Sequence, residues 1–118
     1  MQQFLIVERQ GPIATLTLNR PERRNAINRA LGQQLRLAVR DIEADDSVRC
    51  VVLGARGEHF SAGLDLVELH LSMTQMAPSM RRAFCLGLTE DLHGTIRALR
   101  RMPKPVMVSL QGQVAGVG

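Results

Sequence analysis

Two glycine-containing turns are the part of this sequence that could do chemistry without a reactive side chain. The first lies in "HFSAGLDL", residues 59–66, and the second in "GQVAGVG", residues 112–118. Small residues let a ligand approach the backbone, so that peptide N–H groups can act as hydrogen-bond donors. Two such donors from different turns would form an oxyanion hole, which stabilises an enolate or a tetrahedral intermediate. Each turn alone is also what a helix packed tightly on a sheet requires.

Each turn directly follows a short apolar segment of the kind that forms a strand. The segment "VRCVVLGARG" (48–57) precedes the first turn, and "PVMVSLQG" (105–112) leads into the second. Both runs are nearly continuous in apolar residues, which is typical of strands covered on both faces. Ligand groups collect at the carboxyl ends of such strands in α/β proteins. The two turns therefore occupy positions where a binding site is expected.

The N-terminal part of the chain predicts a hairpin followed by a helix. Two extended runs, Phe4–Glu8 and Ile13–Leu18, are separated by a Gly-Pro turn signal. In the second run, apolar residues occupy every other position, so that one face is wholly apolar. Asn28 can cap the following helix through its side-chain oxygen, and the helix is predicted to run to about Ala44.

The rest of the chain predicts a short helix over Leu66–Leu71, a loop at "TQMAP" and a long amphipathic helix over 79–102. Apolar residues at helical spacing predict a buried stripe on each of the two longer helices: Leu31, Leu35, Ala38 and Ile42 on the first, and Met80, Phe84, Leu88, Leu92, Ile96 and Leu99 on the second. The order ββ-α-β-(loop)-α-β indicates an α/β fold with crossovers, built as one domain over residues 1–118.

The charge and the aromatic content of the chain indicate which class of ligand it could bind. The net charge is +4, and 14 of the 15 basic residues are arginines, which suits an anionic partner such as a phosphorylated small molecule. The arginines are scattered among acidic residues, and the chain has three phenylalanines but no tryptophan or tyrosine. Single-strand nucleic-acid binders rely on aromatic stacking platforms. Nucleic acid is therefore disfavoured as a partner.

The remaining reactive residue types give weaker signals. Cys50 and Cys85 lie in apolar runs, which predicts core residues of a reducing compartment. No apolar run approaches 18 residues, and no secretory signal pattern is present, so a cytoplasmic protein without membrane association is expected. The histidines and acids show neither metal-ligand spacing nor a nucleophile arrangement.

Four segments in register resemble the crotonase superfamily, the enoyl-CoA hydratase/isomerase family. They are "NRPERRNAIN" (19–28), "HFSAGLDL" (59–66), "MPKPVMVSLQG" (102–112) and "GQVAGVG" (112–118). The resemblance covers essentially the whole chain. It implies a crotonase-like ββα spiral, present here as the incomplete N-terminal half of the fold. It also implies an acyl-CoA or enoyl-CoA thioester as ligand and substrate, with no separate cofactor and no metal.

The resemblance assigns roles to individual residues. It implies that the backbone N–H groups of Leu64 and Val117, which follow Gly63 and Gly116, hold the thioester oxygen as it becomes an enolate. The family usually has Gly or Ala where this chain has Val117, whose bulk puts the fit of the acyl group in question.

Residues along the CoA groove follow from the same resemblance. Arg24, and with it Arg23, would pair with CoA phosphates or lie solvated at the surface, whereas the backbone of Ser61 and Ala62 would border the adenine or pantetheine arm. Asp65 would cap the following helix or contact the ligand, and its position favours capping.

The resemblance also sets limits on activity. The acid/base carboxylates of hydratases in this family follow the second turn, beyond Gly118, so we expect little or no hydratase activity from the 118-residue chain. The strand at 105–110 is expected to have an unpaired edge and exposed apolar surface. The family implies fatty acid metabolism and a homo-oligomer, a trimer or hexamer. The alternative is a non-catalytic module that binds acyl-CoA or mediates oligomerisation.

Overall fold

A four-stranded mixed sheet forms the centre of the molecule. The computed structural model describes residues 3–118; residues 1 and 2 of the predicted domain lie outside this range. The strands are β1 (Leu5–Gln10), β2 (Ile13–Leu18), β3 (Cys50–Ala55) and β4 (Val106–Val108), in the spatial order β1-β2-β3-β4. The β1–β2 pair is antiparallel, and the β2–β3 and β3–β4 pairs are parallel. The predicted α/β order is confirmed.

The predicted hairpin is present, with β1 shifted by one to two residues. Gln10 pairs with Ile13, which leaves a two-residue connection at Gly11 and Pro12. Gly11 has a φ of +59°, a conformation that glycine adopts at little cost. Ala14, Leu16 and Leu18 are buried on the core face of β2, because alternate residues of a strand point to the same side.

Three α-helices and one short 3₁₀ turn connect the strands. The 3₁₀ turn is Pro21–Arg23, and the helices are α1 (Arg29–Ala44), α2 (Leu66–Gln75) and α3 (Pro78–Arg101). The Asn28 side chain accepts a hydrogen bond from the Leu31 N–H, as the capping prediction requires. Helix α2 is longer than predicted and takes in the first two residues of the "TQMAP" loop. Proline at the first position of α3 is compatible with a helix start, since that N–H has no intrahelical partner.

The predicted apolar stripes are only partly buried. On α1, Leu31, Leu35 and Ile42 are buried, but Val39 is buried more deeply than Ala38. On α3, Leu88 is the only stripe residue that is fully buried, and Met80 and Ile96 are exposed. Helix α3 packs chiefly on α1, so part of its stripe meets no apolar surface among residues 3–118.

Two glycines inside α3 have a packing role that periodicity alone does not reveal. Arg29 of α1 lies over Gly87 and donates a hydrogen bond to the Phe84 carbonyl at 3.0 Å. Arg36 lies over Gly94 in the same way and donates to the Glu90 carbonyl at 2.8 Å. Because a Cβ at either glycine would overlap the guanidinium, the two glycines let arginines of α1 lie flat on α3.

The prediction that β3 and β4 are covered on both faces is wrong for the described residues. Val51 alone is fully buried in β3, and β4 is a three-residue strand at the edge of the sheet. Met107, Val108 and Leu110 are exposed. β4 pairs with β3 on one side and has no described strand on the other. The expected unpaired edge is therefore present.

The two cysteines, which were predicted to lie in the core, are only half-buried. Cys50 and Cys85 are both free thiols. No helix within residues 3–118 is long and apolar enough to span a membrane.

Candidate functional site

Three short segments lie side by side beyond the ends of the strands. Residues 24–27, 61–65 and 113–115 are joined by two parallel bridges, Ile27 with Leu64 and Ser61 with Val114. The middle segment therefore contacts both neighbours. The two glycine-containing turns, which are far apart in sequence, are brought together by this arrangement.

The hydrogen bonds of the middle segment leave one N–H group without an acceptor. The Ile27 N–H donates to the Gly63 carbonyl at 2.7 Å, and the Asp65 N–H donates to the Ile27 carbonyl at 2.9 Å. In such a bridge the N–H of the intervening residue, Leu64, points away from Ile27. Among residues 3–118 it has no hydrogen-bond acceptor.

The conformation of Gly63 makes this geometry possible. Its φ is +91°, and its N–H donates to the Ser61 Oγ at 3.1 Å. A Cβ added at Gly63 would lie 2.7 Å from the Ala115 carbonyl oxygen, which is closer than a real Cβ contact permits. The close approach of the two turns therefore depends on glycine at this position.

The second turn presents another N–H group of the same kind. The Gly118 N–H donates to the Ala115 carbonyl at 2.9 Å, which closes a turn with Gly116 and Val117 as its central residues. Gly116 has a φ of +57°. The N–H of the second central residue takes no part in the bond that closes such a turn. The Val117 N–H finds no acceptor in the part of the chain that the structure describes.

The buried residue Asn25 holds the first turn in place through hydrogen bonds. Asn25 is fully buried with a φ of +52°, and its side chain accepts a hydrogen bond from the Arg20 N–H at 2.7 Å. Its amide donates to the carbonyls of Arg56 and His59 at 2.9 and 2.8 Å. Its own carbonyl accepts from the Ser61 Oγ. Asn25 thus connects the 3₁₀ turn and the end of β3 through its side chain, and the segment that carries Leu64 through its backbone carbonyl.

Asp65 fixes the residue that follows Leu64. Its carboxylate accepts from the Glu68 N–H at 3.0 Å, so Asp65 caps α2. It also pairs with the buried Arg20 at 3.1 Å. Burial by itself raises the pKa of Asp65, but the Glu68 N–H and the Arg20 guanidinium outweigh burial, and the pKa lies below its usual value. The carboxylate is therefore ionised and engaged at neutral pH.

An open groove runs along the outer side of this region. It has a volume of about 400 Å³ and is lined by residues of the 3₁₀ turn and of the first glycine turn, including Arg23, Arg24, Ala62, Leu64 and Asp65. Both arginines are exposed, and Arg24 lies 3.5 Å from the Gln113 side-chain oxygen. The predicted phosphate-binding residues and the predicted first donor therefore border one groove.

An apolar cavity of about 340 Å³ lies on the other side of the second turn. It is a partly open pocket lined by residues of the sheet, α1 and α3, and by Phe60, Val114, Val117 and Gly118. Val117 is 43% exposed, so its side chain faces open space rather than a packed core. The exposed β-branched side chain and the N–H without a described acceptor belong to the same residue.

Sequence reasoning missed the residues that hold the site in place. In the sequence Arg20 is one of many scattered arginines, yet in the structure it is 4% exposed and pairs with Asp65. Asn25 belongs to a motif that assigns it no individual role. No local pattern gave the long-range partners of Asn25.

Comparison with known proteins identifies the family to which this α/β fold belongs. The model of the enoyl-CoA hydratase/isomerase family matches residues 8–118. Over all 118 residues the chain is 34% identical to the 1,2-epoxyphenylacetyl-CoA isomerase of Escherichia coli K12, of which it spans 44%. Over 105 residues, 88% of the chain, it is 37% identical to the trans-2-decenoyl-(acyl-carrier-protein) isomerase of Streptococcus mutans, of which it spans 38%.

Comparison with solved structures also finds proteins of this family. A Pseudomonas aeruginosa protein superposes with a TM-score of 0.86 at 32% identity, covering 98% of this chain and 47% of that protein. An enoyl-CoA hydratase of Mycobacterium smegmatis superposes with a TM-score of 0.77 at 34% identity, covering 92% of this chain and 40% of the hydratase. The chain belongs to the enoyl-CoA hydratase/isomerase family, within the crotonase superfamily. It spans less than half the length of these relatives and corresponds to their N-terminal part.

Proposed function

We propose that this chain is the acyl-CoA-binding part of an enzyme of enoyl-CoA hydratase/isomerase type. In this proposal the N–H groups of Leu64 and Val117 donate to the thioester oxygen as it becomes an enolate. The observation that supports it is the contact between the two turns, each of which carries an N–H group without an acceptor in the described chain.

Backbone donors suit this chemistry because they need no change of protonation state. Negative charge develops on the thioester oxygen as a proton leaves the adjacent carbon, and fixed donors stabilise that charge. Loss of one such donor typically costs about 2.7–4 kcal/mol of transition-state stabilisation. The hydrogen bonds around Asn25 and Asp65 would hold the first donor before the ligand arrives.

The groove supplies a place for the remainder of a CoA thioester. Arg23 and Arg24 are exposed along it, and guanidinium groups bind phosphates through two parallel hydrogen bonds. The names of the relatives refer to CoA-linked and acyl-carrier-protein-linked substrates, which supports a thioester ligand here.

Proton transfer would need a further group. Asp65 is held by the α2 cap and Arg20, and Glu68 contacts Asn28 at 3.1 Å and Arg20 at 3.6 Å. A positioned general acid or base typically contributes 10²–10⁴-fold to a rate. We therefore expect the 118-residue chain by itself to bind an acyl-CoA with little or no turnover.

Titration calorimetry with butyryl-CoA, a saturated thioester that cannot be hydrated, tests the binding proposal. We expect Val117→Pro, which removes the N–H, to weaken binding of butyryl-CoA much more than Val117→Ala, which keeps it. Free CoA should bind both variants alike, because it has no thioester oxygen. Equal affinity of the two variants for butyryl-CoA would contradict the role of Val117.

A crotonyl-CoA absorbance assay separates the enzyme from the alternative. Binding without loss of the enoyl absorbance would favour a non-catalytic acyl-CoA-binding module for this chain. If neither CoA nor butyryl-CoA binds or raises the melting temperature, the acyl-CoA proposal fails in both forms. Light scattering on the same samples would then test an oligomerisation module, for which the exposed apolar residues of β4 are the candidate surface.

A further inference from the structure

His59 is the first residue of the first turn and contacts the second turn, and the proposed function does not use it. Its side chain is half-buried, and the Nδ1 atom accepts a hydrogen bond from the Gln113 N–H at 3.0 Å. Its backbone carbonyl accepts from the Asn25 side chain at 2.8 Å. One residue therefore joins the brace of the first turn to the start of the second.

The backbone around Gln113 explains why a side-chain acceptor is needed there. The Phe60 N–H donates to the Gln111 carbonyl at 2.7 Å, and the Ser61 N–H donates to the Gln113 carbonyl at 3.2 Å. Gly112 lies between these bonds with a φ of +56°, which interrupts the regular ladder. The Gln113 N–H consequently has no backbone acceptor within residues 3–118, and the imidazole takes that place.

The absence of a side chain at Gly112 allows the contact between the Gln113 N–H and His59. A Cβ added at Gly112 would overlap the Glu58 carbonyl oxygen and would lie 2.7 Å from the His59 Nδ1 atom. Glycine at position 112 therefore permits both the positive φ and the close approach of the backbone to His59, which together bring the Gln113 N–H to the imidazole. The contact is specific to one ring nitrogen, since an acceptor Nδ1 requires the neutral ring with its proton on Nε2.

We propose that His59 is a positioning residue of the oxyanion site. Its Nδ1 atom holds Gln113 and thereby sets where the second turn, with the Val117 N–H, lies relative to Leu64. This role deepens the proposed function and rests on it for its effect on ligand binding. The hydrogen bond itself is a separate claim that can be tested without any ligand.

The ligand-free test uses the full chain labelled with ¹⁵N. The ¹⁵N shifts of the His59 ring are expected to show the neutral tautomer with the proton on Nε2, and the Gln113 amide is expected to exchange slowly. His59→Leu should increase the exchange rate of the Gln113 amide and shift the Val117 amide resonance. His59→Asn, whose amide oxygen can accept near the Nδ1 position, should restore both. A proton on Nδ1, or an unchanged Gln113 amide in His59→Leu, would overturn the proposal.

The ligand test uses butyryl-CoA and free CoA with the same variants. We expect His59→Leu to weaken butyryl-CoA binding about three- to tenfold, the value of one hydrogen bond. Free CoA should be affected less than twofold, and His59→Asn should recover most of the loss. His93→Leu, at an exposed position on α3, is the control and should change neither ligand.

These results separate the two claims. If wild-type chain binds no butyryl-CoA, the proposed function fails, and the tautomer and exchange data still decide whether His59 holds Gln113. If butyryl-CoA binds equally to wild type and His59→Leu while the Gln113 amide is altered, the positioning role at the oxyanion site is wrong.

Discussion

The two turns of the site present the same chemical group but are held very differently. In the first turn Ser61, Gly63 and Asp65 are buried, and their hydrogen bonds hold the backbone on either side of Leu64. In the second turn Val114 and Val117 are 44% and 43% exposed. That turn is held by the bridge to Ser61, the His59 contact and one turn-closing bond.

The difference shows how a backbone donor is preorganised. Fixed donors are effective because they need not reorganise when charge develops. By this criterion the Leu64 N–H is already held in place by contacts within residues 3–118. The Val117 N–H depends on fewer contacts, and these are more exposed to solvent. We therefore expect substitutions in the first turn to cost folding stability, and those in the second to alter ligand affinity more than stability.

The largest effect is expected from removing the brace of the first turn. Asn25→Ala leaves the Arg56 and His59 carbonyls and the Arg20 N–H without their partner in a buried site. Each unsatisfied buried group typically costs about 1–3 kcal/mol. We expect urea unfolding to show a loss of about 3–5 kcal/mol. Asn19→Ala, which removes only a bond to Gln3 at the surface, should cost less than about 1 kcal/mol. Similar losses for both variants would show that the Asn25 side chain does not hold the first turn.

A substitution in the first glycine tests the contact between the turns. Gly63→Ala imposes both a positive φ and an overlap with the Ala115 carbonyl. Strain and overpacking of this kind typically cost about 1–3 kcal/mol each, so we expect about 2–4 kcal/mol in urea unfolding. Gly54→Ala, in β3, meets no atom within 4 Å and should lie within about 0.5 kcal/mol of wild type. A neutral Gly63→Ala would mean that the turns do not touch.

Acidification tests the ion pair at the first turn. The pKa of Asp65 is below its usual value, so its carboxylate stabilises the fold at neutral pH, and this contribution is lost as the pH falls below about 4. Asp65→Asn keeps a helix cap but not the charge opposite Arg20, and we expect a loss of about 1–2 kcal/mol at pH 7.

The difference between wild type and Asp65→Asn should shrink between pH 7 and pH 3 in urea titrations. Asp45, whose pKa is lowered to about 2 by hydrogen bonds from Ser47, is common to both proteins and cancels in the comparison. A constant difference across this range would show that Asp65 has no stabilising charge interaction.

The smallest effect on stability is expected in the second turn. Gly116→Ala also imposes a positive φ, but its Cβ would lie 3.7 Å from the Gly63 Cα, an ordinary contact. We expect a cost of about 1 kcal/mol, due to φ alone, in the same unfolding experiment. The comparison with Gly63→Ala isolates the clash, and equal costs for the two variants would contradict the unequal packing of the turns.

Local signals in the sequence predicted the hairpin, the Asn28 cap and the Asp65 cap, because each depends on residues close together in the chain. They also placed both glycine turns at strand ends. The burial of β4 and of the α3 stripe was overestimated, since periodicity shows which face is apolar but not whether a partner covers it. Asn25 and His59 could not be assigned roles from the sequence, because all but one of the side-chain partners named here, the Arg20 N–H, lie 31 or more residues away.

The most direct test of the central claim is the infrared spectrum of butyryl-CoA labelled with ¹³C at its thioester carbonyl, bound to the chain. Two converging N–H donors would polarise the C=O bond, so we expect the carbonyl stretch to move to lower frequency on binding. The shift should be smaller in Val117→Pro and unchanged in Val117→Ala. A stretch at the same frequency for free and bound ligand would show that Leu64 and Val117 do not form an oxyanion hole.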